Sequence, residues 1–267
     1  MRIQWLWPSI LVCLLLFDIP ASLAQTAPTK NPAALNIAQR CLGVIRAGTT
    51  GTIQDAIARG TWTEHYPGGE ISGAIVIKAK FPDKVRIEFS HPSGPVVRTV
   101  SGGRGVLQFP SGRRKKLLAT NTAFEATNLI PLFSALGRVL DRNVEVLLVG
   151  TDTVNGKTAE VISISAADPS ATSTKDFVRQ STRRLIYIEQ SSGLLLKIEQ
   201  PIWPEDGSMQ SKKQAVIFDD YRQTGGLLMP FRQITYFDGQ PSTELNLDSV
   251  QFNVGLFDAD FQLPEVR

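Results

Sequence analysis

Residue types that could do chemistry are few and scattered along this 267-residue chain. His65 and His91 each adjoin a turn, the placement of surface residues rather than of a metal pair or a catalytic base. Asp219 and Asp220 are neighbours on an expected strand, so they point to opposite faces and cannot share a proton. Asp258 and Asp260 lie in a loop, where such carboxylates make turn hydrogen bonds. Of the two cysteines, Cys13 falls in an apolar leader and Cys41 on the apolar side of an expected helix with no histidine near it in sequence. That describes a buried, inert thiol, and leaves no intramolecular disulfide and no cysteine-based metal site. No nucleophile elbow, phosphate-binding loop or helical zinc motif is present. The expectation is a protein without catalytic residues, metal or cofactor; a hydrolase would have to build a polar cleft from dispersed groups.

The strongest charge feature is Arg113, Arg114, Lys115 and Lys116, directly after Ser111-Gly112. It is either a solvated hairpin tip or a contact for anionic headgroups or an acidic protein partner. No aromatic residues interleave it, which disfavours single-stranded nucleic acid. A net charge of +3 suits a protein facing anionic membranes and does not call for nucleic acid.

What remains is hydrophobic patterning, and it centres on Ile71–Phe89. Ile71, Gly73, Ile75, Ile77, Ala79 and Phe81 alternate with Ser72, Ala74, Val76, Lys78 and Lys80. Beyond Pro82-Asp83 the alternation resumes, with Val85, Ile87 and Phe89 set against Lys84, Arg86 and Glu88. A period of two is that of strands with one buried face, here paired in an antiparallel hairpin. Within Asn121–Asn143 the period changes: Leu129, Leu132, Phe133, Leu136, Val139 and Leu140 recur at steps of three and four. That predicts an amphipathic helix beginning near Pro131, a lid for the apolar face of the sheet.

Around these the chain reads in order. Residues 1–24 carry Arg2, an apolar body and a small-residue ending at Ser22 and Ala24, the pattern of a cleaved secretory signal peptide; the alternative is an uncleaved anchor. Residues 25–32 form a polar linker, and 33–267 a single domain. Ala33–Ala47 has one apolar stripe and reads as a helix, and Thr52–Ala58 as a short second helix capped by Thr52. After the lid, Asn155-Gly156, Gly225-Gly226 and Asp238-Gly239 punctuate a series of short strands. The phase slips between Leu247 and Val250, as at a β-bulge. Hydrophobic content of 42% supplies a core for one large antiparallel sheet. A sheet of ~10 strands curls, so the expected fold is mainly β with a helical lid (α+β), an incomplete barrel around a central helix.

This order of elements resembles the periplasmic lipoprotein-carrier, or LolA-like, family. The resemblance rests on Gly73–Phe89 with its Lys80-Phe81-Pro82-Asp83 turn, on Val100-Ser101-Gly102-Gly103, and on Val250–Pro264 with its acidic-Phe-x-x-Pro ending. Phe81 stands where the carriers have a turn arginine. The resemblance implies a periplasmic, non-enzymatic monomer that binds lipid acyl chains or lipoproteins, with transient membrane-surface contact. The same half-barrel serves envelope regulatory modules that bind a protein partner, and fold alone does not choose between them. The candidate cavity lining is Ile75, Ile77, Val85, Ile87 and Phe89 from the hairpin, with Leu132, Phe133 and Leu136 from the lid.

Overall fold

The structure is a computed structural model that describes residues 28–122, 130, 135–167, 175–203 and 210–266. The expected signal peptide and the lid residues Leu132 and Phe133 lie outside the described residues. Among the described residues no helix is long and apolar enough to cross a membrane.

The chain begins with helix α1 (Pro32–Ile45). Asn31 caps it, its side-chain oxygen accepting from the Ala34 N–H at 3.0 Å, and Pro32 occupies the first turn, where its missing N–H is no loss. Strands β1 (Asp55–Tyr66), β2 (Gly69–Lys80), β3 (Lys84–His91), β4 (Gly94–Ser101), β5 (Arg104–Gln108) and β6 (Arg114–Lys116) follow, then a single helical turn α2 (Ala119–Thr122) and a 3-10 turn at Ala135–Arg138. The second wing comprises β7 (Val144–Val154), β8 (Lys157–Ala166), helix α3 (Lys175–Thr182), β9 (Arg184–Glu189), β10 (Leu195–Ile202), β11 (Lys212–Thr224), β12 (Leu227–Phe237) and β13 (Gln240–Phe252). A last 3-10 turn spans Asp258–Phe261.

All thirteen strands form one antiparallel sheet in the order β6-β5-β4-β3-β2-β1-β13-β12-β11-β10-β9-β8-β7. Neighbouring strands are consecutive in sequence except β1 with β13, where the chain's first strand meets its last, from Ala56 opposite Phe252 to Glu64 opposite Thr243. The expected bulge sits at this joint: Arg59 faces Ser249 and Gly60 faces Leu247, which leaves Asp248 as the extra residue. The sheet is curved and unclosed, the incomplete barrel expected from its length.

Two expected helices need correction. Thr52–Ala58 is not helical, because β1 begins at Asp55 and pairs on both sides, Ala56 lying between Ala79 and Phe252. Two ladders of hydrogen bonds outweigh the weak helix signal of a short segment. Of the long helix expected between Asn121 and Asn143, the described part is the 3-10 turn Ala135–Arg138 followed by a turn. Leu136 and Val139 are buried there, but Leu140, expected on the same apolar stripe, is 67% exposed. Helix α3 is an addition to the expected order of elements.

Helix α1 lays Ala34, Ile37, Ala38, Cys41 and Ile45 onto the concave face, in one core with Ile162, Ile164, Ile186, Ile188, Leu195 and Met229. Burial pushes the Cys41 thiol up to about 12, against the pull of the Arg40 charge beside it, so it is the inert thiol that the sequence suggested. Gly43 lies on the exposed side of α1 with open space where a side chain would stand. Gly43→Ala is therefore expected to stabilise the protein by up to ~1 kcal/mol, read as a rise in the urea midpoint at unchanged slope.

The convex face of the first wing is covered by the C-terminal segment. The buried Asp55 carboxylate accepts from the backbone N–H groups of Val254, Gly255 and Leu256 at 2.7, 3.2 and 3.1 Å. Asp258 then pairs with Lys80 and Lys84, Asp260 pairs with Lys78, and Phe261 is buried. These lysine contacts hold both carboxyls below the usual range, and Asp260 also accepts from the Phe257 N–H. The alternation predicted Lys78, Lys80 and Lys84 as the wet face of the hairpin; here they seat the chain's own tail.

Candidate functional site

The concave face is not packed evenly. Beneath α1 its residues are buried in the main core. Across the β1–β13 joint lies a cavity of about 320 Å³. Strand alternation decides what lines it. Trp62 and Glu64 come from β1, Ile75 from β2, Ile87 and Phe89 from β3 and Arg98 from β4. The other wall is Gln214 and Val216 of β11, Gln233, Thr235 and Phe237 of β12, and Ser242, Thr243 and Leu245 of β13. Every second residue of each ladder faces the same side, so a row such as Val216–Thr235–Thr243–Glu64 crosses four strands at one level.

Trp62 is the largest wall element. Its ring meets Phe89 edge to face, centroids 5.4 Å apart at 75°, and stacks on His91 at 6.4 Å and 20°. Gly73, directly opposite Trp62 in the ladder, makes this arrangement possible. A Cβ at Gly73 would lie 1.9 Å from the Ser90 carbonyl oxygen and 3.1 Å from Trp62 Nε1. The indole N–H itself is buried and meets no acceptor among the described residues.

The hairpin side is mainly apolar, with Glu64 and Arg98 among its residues, and the other wall mixes Val216, Phe237 and Leu245 with a polar set. Ile75, Ile87, Phe89, Val216 and Leu245 supply hydrocarbon; Gln214, Gln233, Thr235, Ser242 and Thr243 supply hydrogen-bonding groups. Gln214 accepts from the Gln200 amide at 2.5 Å, which extends the polar row onto β10. Such a surface can take up an amphiphile, with a chain against the isoleucines and a polar end toward the amides.

Of the residues singled out in sequence, Ile75, Ile87 and Phe89 line this cavity. Ile77, Val85 and Leu136 do not. They are buried members of the main hydrophobic core. Trp62, Arg98, Gln233, Thr235 and Leu245 were not anticipated. For Arg98 a signal existed: it alternates in phase with Val96 and Val100, so it had to face the same side as they do. Leu245 carried none, since its adjacency to Trp62 arises from pairing between the two ends of the chain.

The basic run divides between two elements. Arg113 lies in the turn with its guanidinium 4.1 Å over the Phe109 ring, while Arg114, Lys115 and Lys116 form the edge strand β6. Arg114 donates to the Glu265 carbonyl at 2.9 Å, and Lys116 lines a groove of about 540 Å³ with Leu263 and Pro264. The run thus borders the tail rather than the cavity. A separate polar cluster lies on the convex face, where Glu199 accepts from Tyr187 at 2.9 Å, Lys197 at 3.0 Å and pairs with Lys213 at 3.0 Å. Burial raises the Glu199 pKa, but these contacts outweigh it and hold the carboxyl below its usual range.

This architecture has counterparts of known structure. A LolA superfamily protein from Nitrosomonas europaea superposes with a TM-score of 0.55, at 13% identity, over 86% of this chain and 97% of its own. The chain has the LolA-like half-barrel fold. A domain named for outer membrane lipoprotein sorting from Vibrio parahaemolyticus gives a TM-score of 0.54 at 18% identity, covering 85% of this chain and 95% of its own. A DUF1329 family protein from Desulfovibrio piger gives 0.55 at 16%, covering 89% and 98%. No protein-family model matches the chain, and no curated protein matches it by sequence. At these identities the likeness is one of fold.

Proposed function

We propose that this LolA-like chain is an exported, non-enzymatic carrier that shelters an acyl chain of a lipid or lipoprotein in the cavity across the β1–β13 joint. The observation that carries the reading is the cavity of about 320 Å³ whose walls bring Ile75, Ile87, Phe89, Val216, Phe237 and Leu245 together with a few hydrogen-bonding side chains. Each methylene occupies about the space of one water, ~30 Å³, so roughly ten carbons fill it. At ~0.8 kcal/mol per buried methylene, that contributes about 8 kcal/mol before the costs of association. The fold of its structural counterparts and the signal-like segment 1–24 support a periplasmic setting, with Arg113–Lys116 as the candidate contact for anionic headgroups.

Native mass spectrometry of the exported protein, with organic extraction of what co-purifies, tests the reading. The expected result is a stoichiometric acyl-chain ligand that survives high salt. A clean apo mass, unchanged after incubation with lipids and lipopeptide, overturns it.

One observation favours a second reading, an envelope module for a protein partner. The edge strand β7 exposes Leu148 and Val149, and the chain's own Thr29–Asn31 segment already pairs in parallel beside Val146. An open edge of this kind accepts an extended peptide. A clean apo mass in the same experiment, together with capture of a partner by this edge, would favour it.

A further inference from the structure

The two outer edges of the sheet differ in kind. The β6 edge is three residues long, all of them cations, and Arg114 is tied to the Glu265 carbonyl. A short, charged edge is a poor template for a further strand. The β7 edge is eleven residues long, and Leu148 and Val149 are 44% and 50% exposed on it. Thr151, Asp152 and Thr153 are exposed as well. This edge is competent to pair, because its first part already does so. The Val146 carbonyl accepts from the Asn31 N–H at 2.8 Å, and the Val146 N–H donates to the Thr29 carbonyl at 2.9 Å. Backbone groups alternate in direction along a strand, so those of Leu148 point out of the sheet as those of Val146 do. Helix α1 begins at Pro32, which takes the N-terminal segment off the edge, and among the described residues no strand pairs beyond Val146.

What flanks the edge gives the chemistry of its partner. A strand added here would send alternate side chains to opposite faces of the sheet, and a groove lies on each. On the concave side a groove of about 550 Å³ is walled by Ala33, Ile37 and Leu148, and its two charges, Arg40 and Glu160, pair with each other. On the other face, which carries Leu147 and Ser163, a groove of about 420 Å³ runs between β7 and α3. It holds two guanidiniums, Arg179 and Arg183, against one carboxylate, Glu145. Arg183 donates its Nε to Ser163 at 3.1 Å, and Glu145 accepts from Ser165 at 3.4 Å. Arg179 also pairs with Asp176, an exposed contact of the kind that contributes little and exchanges readily. One groove is therefore apolar and neutral, and the lining of the other carries an excess of positive charge.

We propose that β7 from Leu147 to Thr151 is the docking edge for an extended segment of a partner protein in which apolar and acidic residues alternate. The apolar residues would lie against Ile37 and Leu148, the acidic ones toward Arg179 and Arg183. This rests on the reading of the chain as a protein-binding module and names the partner that its edge fits. The backbone groups of Leu148 supply the pairing, and the two arginines supply the selection.

The test is fluorescence anisotropy on the full exported protein with labelled, end-capped octapeptides that alternate valine with glutamate, glutamine or lysine. The glutamate peptide is expected to bind about tenfold more tightly than the lysine peptide, and the preference should shrink at high salt. Arg179→Gln with Arg183→Gln should erase that preference while affinity for the glutamine peptide stays the same. Leu148→Pro removes an outward-facing donor, which an edge strand tolerates, and should abolish binding of all three peptides; Leu148→Ala should only weaken it. N-methylation of every second residue of the glutamate peptide should also abolish binding. Thermal melts confirm that each variant is folded, and if Leu148→Pro is not, the N-methylated peptide decides the pairing. Equal binding of the three peptides, or an unchanged preference in the arginine variant, overturns the acidic assignment and leaves an open edge for a different segment. Undiminished binding of the N-methylated peptide overturns strand addition. A dimer in sedimentation that Leu148→Pro dissolves assigns the edge to a second copy of this chain and overturns the proposal. Failure of all three peptides to bind overturns both the docking edge and the protein-partner reading.

Discussion

Substituting Gly60 by alanine is expected to destabilise the protein by at least ~4 kcal/mol, enough to abolish a cooperative urea transition in a domain of ordinary stability. The cause is steric. A Cβ at this position would lie 2.1 Å from the Asn246 carbonyl oxygen, 2.8 Å from Leu247 Cα and 2.9 Å from Asn246 C. All three are backbone atoms of β13, so no rotamer change relieves the overlap. The clash falls at the bulge where Asp248 is the extra residue, the point at which the two wings of the sheet are joined. Relief would require β1 and β13 to part, and with them the floor of the cavity. The measurement is far-UV circular dichroism against urea, with Gly43→Ala, whose added methyl meets nothing, as the paired control. A Gly60→Ala protein that unfolds at the wild-type midpoint would show that the joint is not as tight as described.

Thr235→Trp is expected to weaken acyl-chain binding roughly fifty-fold with the melting temperature nearly unchanged. Thr235 is half-buried and faces the cavity between Val216 and Thr243, so a larger side chain grows into empty space rather than into the core. An indole there takes the room of about three methylenes, each worth ~0.8 kcal/mol on burial, and the sum corresponds to a fifty-fold change in affinity. Because no core contact is removed, stability should move by no more than ~0.5 kcal/mol. Isothermal titration with dodecanoate, set beside a thermal melt, separates the two quantities. Unaltered affinity in a folded Thr235→Trp protein would place the ligand elsewhere.

The sheet was largely legible because its strands are amphipathic and its turns carry glycine. Asn155-Gly156, Gly225-Gly226 and Asp238-Gly239 each close a hairpin, with Asn155 and Asp238 in the left-handed region as such turns require. Local alternation also gave the correct inward set in the first hairpin, where Ile75, Ile77, Ala79, Val85 and Ile87 are buried. Phe81 departs from that phase because it sits in the turn, 44% exposed. Local signals failed where long-range pairing decides. Asp55–Ala58 reads as a helix start until β2 and β13 are placed on either side of it. The same limit governs the site. Apolar alternation marked Ile75, Ile87 and Phe89, but it could not separate them from Ile77 and Val85, which carry the same pattern and are buried in the main core without lining the cavity. Nor could it bring β11, β12 and β13 to the opposite wall, since that follows from Trp62 lying beside Leu245, residues more than 180 positions apart in the chain. The polar half of the cavity was missed for this reason.

That β1 pairs with β13 also has a kinetic meaning. Every other neighbour in the sheet is joined by a local hairpin or a short excursion, and such pairings close in microseconds to milliseconds once both strands exist. The central pairing must wait for nearly the whole chain. As the polypeptide is made from its N-terminus, β1 to β6 can assemble early with the long edge of β1 uncovered, and an uncovered edge is an invitation to aggregate. The last event of folding is then the meeting of two preformed meanders along one seam, and it is that event that creates the cavity. A chain of this design gains its cavity only at the moment its folding is complete.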